Sequence, residues 1–143
     1  MSETVTDSPT AWVADHIRRY EDTNGADGHI WQGVPTLLLT TLGRSSGVWR
    51  RTALIYGVDG EDHVIVASQG GRPDNPSWYA NLVAHPEVRV QVAADRFMAS
   101  ARTASAEEKA RLWPLMTAIW PAYDEYQAKT DRDIPIIILA RHS

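Results

Sequence analysis

Three stretches bring together side chains that could do chemistry. The first is Gly43-Arg44-Ser45-Ser46-Gly47, with Arg50 and Arg51 close behind. It holds three guanidinium groups within eight positions and two hydroxyls between two glycines. Such a loop offers backbone N–H groups, hydroxyl donors and fixed positive charge to one anion, a phosphate or a polycarboxylate. It lacks the Lys-Ser/Thr ending and the glycine spacing of a nucleotide-hydrolase phosphate loop. If Arg50 and Arg51 open a strand, their side chains alternate, and only one can face the loop's ligand. The plainer reading of the same residues is a solvated hairpin with surface arginines.

The second stretch is Ala67-Ser68-Gln69-Gly70-Gly71, followed by Asn75, Trp78 and Asn81. A strand ends there in a hydroxyl, an amide and bare backbone, ahead of a helix N-terminus. A flat polar heterocycle would suit it: main-chain N–H groups for ring carbonyls, Trp78 for stacking, Asn81 for hydrogen bonds. The plainer reading is a Gly-Gly turn beside a core tryptophan. The third stretch is Trp120, Tyr123 and Tyr126, spaced by three along a helix. The rings could sandwich an aromatic ligand, and a tyrosine hydroxyl can donate a proton or a hydrogen bond. With an ordinary pKa of about 10 it is a donor and not a ready base at neutral pH. An aromatic packing stripe is the alternative. No Ser-His-Asp set is discernible, and His16, His29, His63, His85 and His142 lack metal-ligand spacing.

The elements that must hold these groups can be read from periodicity. Residues 1–9 are expected to be loose. Thr10 can cap a helix to about Glu21 with Trp12, Val13, Ile17 and Tyr20 as its apolar residues; it would pack on the core, cover a ligand pocket or lie on a membrane surface. Strands are expected at 35–42, 48–58 and 63–68, the last two joined at Asp59-Gly60. Asn75 should cap the next helix with Pro76 in its first position. Strands at 87–93 and 96–103 alternate in polarity. Ser105 and Glu108 form a capping box before a helix bearing Leu112, Leu115, Met116 and Ile119 on one stripe, with Pro114 inside it. A short helix at 121–128 and a β-branched strand at 134–140 close the chain. This makes about six antiparallel strands with peripheral helices, mainly β (α+β), curved or closed into a barrel.

At 143 residues, 43% hydrophobic and 22% charged, the chain suits one globular domain: residues 1–32 as tail and amphipathic helix, 33–143 as the barrel. A net charge of -4 argues against general nucleic-acid binding. Without cysteine there are no disulfides, thiolate metal sites or cysteine nucleophiles. That composition, with a polar acidic N-terminus unlike a signal peptide, fits a cytoplasmic protein. No metal is expected, and the oligomeric state is not legible.

Taken in order, Leu-Leu-Thr-Thr-Leu-Gly-Arg-Ser-Ser-Gly, Val-Ala-Ser-Gln-Gly-Gly, Asn-Pro-Ser-Trp-Tyr-Ala-Asn-Leu, His-Pro-Glu-Val and Trp-Pro-Ala-Tyr-Asp-Glu-Tyr-Gln-Ala-Lys-Thr-Asp-Arg-Asp-Ile-Pro-Ile resemble the deazaflavin-dependent nitroreductase family, whose members use reduced coenzyme F420. The resemblance covers about Gly33 to Ala140. It implies a split β-barrel like that of flavin-mononucleotide oxidases. It implies that Arg44, Ser45, Ser46, Gly47 and Arg50 or Arg51 hold the cofactor's phosphate and acidic tail. By the same resemblance Ser68, Gln69, Gly70, Gly71, Asn75, Trp78 and Asn81 hold the deazaflavin. Trp120, Tyr123 and Tyr126 line the substrate side, and Tyr126, Tyr123 and Ser68 are the candidate catalytic groups. Ser45 and Gln69 stand where the family commonly has Lys, and Trp120 where its nitroimidazole-activating member has Tyr. The implied reaction is hydride transfer from reduced F420 to a small electron-poor acceptor: a quinone, an enone, a coumarin-like unsaturated lactone or a nitroaromatic. A quinone acceptor would bring weak contact with lipid. The competing readings are a flavin-mononucleotide oxidoreductase on the same barrel and a non-catalytic F420 carrier.

Overall fold

The computed structural model describes residues 5–142. Along the chain run β1 (Val5–Asp7), α1 (Ala11–Asp22), β2 (Ile30–Trp31), β3 (Val34–Leu42), β4 (Trp49–Ile55), β5 (Gly57–Asp59) and β6 (Asp62–Val66). A single 3-10 turn (Gln69–Gly71) comes next, then α2 (Ser77–Ala84), β7 (Glu87–Val92), β8 (Asp95–Thr103), α3 (Ala106–Ile119), α4 (Ala122–Lys129) and β9 (Ile136–Arg141).

In hydrogen-bonding order the sheet reads β1-β4-β3-β7-β8-β9-β6-β5, with β2 paired to β3. Every pairing is antiparallel except that of β1 with β4. β4 and β5 lie toward opposite ends of this order, yet they are consecutive in the chain. At Tyr56 the chain leaves β3 and crosses to β6. That crossing closes the sheet into a barrel.

This corrects the expected 48–58 strand, which is two strands serving two ends of the sheet. The break is fixed by the Tyr56 N–H on the Pro35 carbonyl (3.2 Å) and by the buried Tyr56 ring, whose hydroxyl meets His29 Nε2 at 2.8 Å. With β1 and β2 the described residues hold nine strands, against the six expected. Residues 5–7 of the expected loose tail form β1, because Trp49–Arg51 leave an open sheet edge that they pair; residues 1–4 lie outside the described residues.

The alternation of strand side chains divides the apolar residues between two clusters. Ile137 and Leu139 of β9 point into the barrel with Leu37, Leu39, Val88, Val90, Ala99 and Ala101. Ile136 and Ile138 point outward under Leu112 and Met116 of α3 and Tyr123 of α4. The continuous β-branched run at the C-terminus is thus covered on both faces, as its sequence predicts. Gly57 permits this layer: a Cβ there would meet Met116 Sδ at 2.8 Å. The Ser105–Glu108 capping box forms as expected, and α3 continues through Pro114. Ile17 and Tyr20 of α1 are fully buried with Leu38, and the Tyr20 hydroxyl donates to the carbonyls of Thr36 (3.0 Å) and Gln91 (3.3 Å).

Candidate active site

The β3–β4 loop is drawn tight by two main-chain bonds. Gly43 N donates to Val48 O (2.8 Å), and Gly47 N donates to Gly43 O (3.0 Å). Gly47 takes φ +69, which favours glycine. Ser46 Oγ accepts the Val48 N–H at 3.2 Å, while Ser45 stays exposed. α2 then orients Arg44. Asn81, only 3% exposed, accepts at Oδ1 both the Arg44 main-chain N–H (3.1 Å) and its Nη1 (2.9 Å), and its Nδ2 donates to Thr41 Oγ1. Arg44 Nη1 also donates to Ser77 O at 3.3 Å. The Asn81 Oδ1 thus places Arg44.

Arg50 and Arg51 separate as the alternation requires. Arg51 is engaged by Asp7 Oδ1 (2.7 Å from Nε) and by Glu21, so it fastens β1 and α1 to the barrel. Arg50 is exposed and has no ion-pair partner among the described residues. It is the second cation open to a ligand beside Arg44.

At the end of β6, Gln69, Gly70 and Gly71 take φ values of +45, +63 and +80 in succession. The two glycines serve different ends. Space is open where a Gly70 Cβ would be, whereas one at Gly71 would lie 2.7 Å from the Tyr126 carbonyl oxygen. Gly71 therefore packs on the backbone of α4, and Gly70 faces outward. Asn75 is not a helix cap. α2 begins at Ser77 with Pro76 at the N-cap position, because Pro76 has an extended ψ of 150°. Asn75 Oδ1 instead accepts from Arg132 Nη1 at 2.7 Å.

Arg132 is the organiser that sequence reading overlooked. Its guanidinium also donates to the carbonyls of Ala67 (3.2 Å), Ser68 (2.7 Å) and Arg72 (2.8 Å). Burial pulls its pKa down from the usual arginine value without threatening its charge. Lys129 Nζ adds a bond to Gly70 O at 3.3 Å. With the Ser68 and Gly70 carbonyls turned toward Arg132 and Lys129 and the Gln69 amide donating to the Asp74 carbonyl at 3.1 Å, Ser68, Gln69 and Gly70 line the space beside Trp78.

That space is a cavity of about 910 Å³. Arg44, Ser45, Ser46, Arg50 and Arg51 stand around it with Ser68, Gln69, Gly70, Trp78 and Asn81, and so do Trp120, Tyr123 and Tyr126. Gly47, Gly71 and Asn75, also expected at the site, do not line it; each acts at one remove, through the loop turn, the α4 contact and Arg132. Tyr123 is 4% exposed and lies edge-on to Tyr126, ring centroids 6.2 Å apart. Burial pushes the Tyr123 phenol well above its usual pKa, so it stays protonated. α1 closes one side with Trp12, Val13 and His16. Trp12 stacks on Trp31 (5.9 Å, 16°), and Trp31 meets Trp120 (5.6 Å). The core-packing and pocket-covering readings of this helix both hold, on its two sides.

Residues 12–141 match the F420H(2)-dependent quinone reductase family. An F420H(2)-dependent quinone reductase of Mycobacterium tuberculosis is 40% identical over 130 residues, covering 88% of this chain and 87% of its own. A solved structure described as an F420-H2 dependent reductase superposes with a TM-score of 0.69 at 40% identity, covering 73% of this chain and 93% of that one. Another, described as a domain-swapped dimer, has a TM-score of 0.72 at 38% identity and covers 92% and 99%.

The chain belongs to the F420H(2)-dependent quinone reductase family.

It is accordingly an oxidoreductase, and its cofactor is reduced coenzyme F420. The cavity fits that group chemically: cations and hydroxyls suit phosphate and carboxylates, and exposed backbone beside a tryptophan suits a flat, polar ring. Two side chains of the site lay outside the sequence reading. Arg132 sits in Thr-Asp-Arg-Asp, which has no period to mark it. His16, four residues from Trp12 on the same helix face, carried a visible signal.

Proposed function

We propose that the protein reduces quinones with reduced F420, and that one cavity holds the cofactor along its length with the acceptor beneath an aromatic cover. The supporting observation is the mixed lining of that cavity: the guanidinium of Arg44, positioned by Asn81 and Ser77, and the exposed one of Arg50, together with the rings of Trp120, Tyr123 and Tyr126. Arg44, Arg50, Ser45 and Ser46 would hold the phosphate and acidic tail. Ser68, Gln69, Gly70 and Trp78 would hold the ring, with Asn81 and Arg132 as positioning residues. When bound, the cofactor supplies a hydride; the protein's part is to orient it and to exclude water.

Trp120 and Tyr126 would flank the acceptor, and the Tyr126 hydroxyl would donate to its oxygen. Tyr123, held neutral by burial, can donate a hydrogen bond and does not act as a base. Enones, coumarin-like lactones and nitroaromatics share the electron-poor π system that this arrangement requires, and they are proposed as further acceptors. A lipid-soluble quinone would enter past Trp12, which is 59% exposed; weak contact with a membrane surface is part of the proposal. No helix among the described residues is long and apolar enough to cross a membrane.

The test is a screen of quinones, enones, coumarins and nitroaromatics with reduced F420, read by the return of the oxidised cofactor's absorbance. Turnover of quinones supports the reading. Tight F420 binding without turnover of any acceptor would make the protein a carrier, and turnover with reduced flavin mononucleotide alone would make it a flavin enzyme.

A further inference from the structure

His16 sits on the cavity face of α1, one turn beyond Trp12. It is 4% exposed. Its Nε2 lies 2.7 Å from the Gly28 carbonyl oxygen. A carbonyl can only accept, so Nε2 carries a hydrogen. In neutral imidazole Nδ1 is then a bare lone pair; in imidazolium it is a donor. The ring edge bearing Cδ2 and Nε2 is the one turned to Gly28, where an added Cβ would meet these atoms at 3.1 and 3.2 Å. Nδ1 therefore lies toward the other side. Among the described residues it has no hydrogen-bond partner, yet the one sealed, unpartnered side-chain polar atom among them is His63 Nδ1. His16 Nδ1 is thus open to the cavity, behind Trp12, Trp31 and Trp120.

We propose that His16 delivers, from Nδ1, the proton that completes quinone reduction. This rests on the quinone reading above. The hydride brings two electrons and one hydrogen to the quinone, leaving a quinol monoanion. The imidazolium Nδ1–H bond breaks, its proton joins the quinol oxygen, and the neutral imidazole regains a proton from water. The Gly28 carbonyl holds the ring so that only Nδ1 can serve.

Two substitutions separate this role from packing. The amide nitrogen of glutamine falls near Nε2, so His16→Gln keeps the bond to Gly28 and loses the cavity nitrogen. The amide nitrogen of asparagine falls near Nδ1, so His16→Asn keeps a cavity donor and loses Gly28. Turnover of menadione by reduced F420 is measured together with F420 affinity and thermal midpoint. His16→Gln is expected to lose at least tenfold in kcat with F420 affinity unchanged and near wild-type stability; His16→Asn, whose amide can hydrogen-bond but holds no acidic proton to give, is expected to lose kcat as well, together with stability. Wild-type kcat in His16→Gln, or parallel loss of kcat and stability in both variants, overturns the inference. If His16→Gln does not fold, nitrogen-15 NMR of the wild-type protein decides: menadiol under argon should shift Nδ1 of His16, and an unmoved resonance overturns it. A wild-type protein that turns over no quinone refutes the broader reading instead.

Discussion

Replacing Arg132 with methionine should disable the cofactor site from behind while leaving the barrel standing. Methionine keeps much of the apolar stem and removes four hydrogen bonds, to Ala67 O, Ser68 O, Arg72 O and Asn75 Oδ1, at 2.7 to 3.2 Å. A hydrogen bond to a charged group contributes about 1.5–3 kcal/mol. Water can replace the guanidinium at the exposed Arg72 and Asn75, so the loss falls mainly on the Ala67 and Ser68 carbonyls. For two such bonds that is about 3–6 kcal/mol of loop order. The contact of Gly71 with Tyr126 and the Lys129 bond persist, which points to the lower part of that range. Since about 1.4 kcal/mol is tenfold in affinity, F420 should bind at least tenfold more weakly. Thermal unfolding should remain cooperative, because none of the three buried clusters includes Arg132. Hydrogen exchange should quicken at residues 67–75, and added guanidinium ion should restore part of the affinity. Arg132→Lys should recover little, since one ammonium cannot span a planar fork of acceptors. Faster exchange in the loop with an unchanged F420 dissociation constant would show that this loop does not hold the cofactor.

Arg50→Ala should weaken F420 binding by about 1.5–3 kcal/mol, whereas Arg51→Met should lower the thermal midpoint and leave F420 affinity within about twofold, because Arg51 serves Asp7 and Glu21; isothermal titration and calorimetry separate them. Tyr126→Phe should reduce turnover more than cofactor affinity, and equal losses would assign it to packing. Gly71→Ala should destabilise strongly, since a Cβ meets the Tyr126 backbone and φ is +80; denaturant unfolding checks this. Burial lowers the His63 pKa below its usual 6.5. The folded state then resists a proton that the unfolded chain accepts, so this part of the stability is present above about pH 6.5 and is lost as pH falls from there toward the folded value. His63→Phe should flatten the pH dependence of unfolding free energy in that window.

Much of this was legible because periodicity reports local structure. The two-sided burial of β9, the Ser105 capping box and the arginine loop between β3 and β4 all stem from neighbouring residues. What failed depends on residues far away in sequence. Tyr56 breaks a strand because β6 competes with β3 for the chain. Val5–Asp7 become a strand because a sheet edge is open to them. Asn75 reads as a helix cap, but α2 is capped at Pro76 and the Asn75 acceptor is taken by Arg132. The Gly-Gly turn is there, and Gly71 within it packs on the backbone of α4.

The most direct measurement compares F420 with the same deazaflavin ring stripped of its phosphate and acidic tail, each titrated into wild-type protein and into Arg44→Ala/Arg50→Ala. Wild-type protein should bind F420 at least a hundredfold more tightly than the bare ring, and the double variant should bind the two within a few-fold of each other. Equal affinity in the wild type, or a tail preference that survives the double variant, would contradict the placement of the charged end between Arg44 and Arg50.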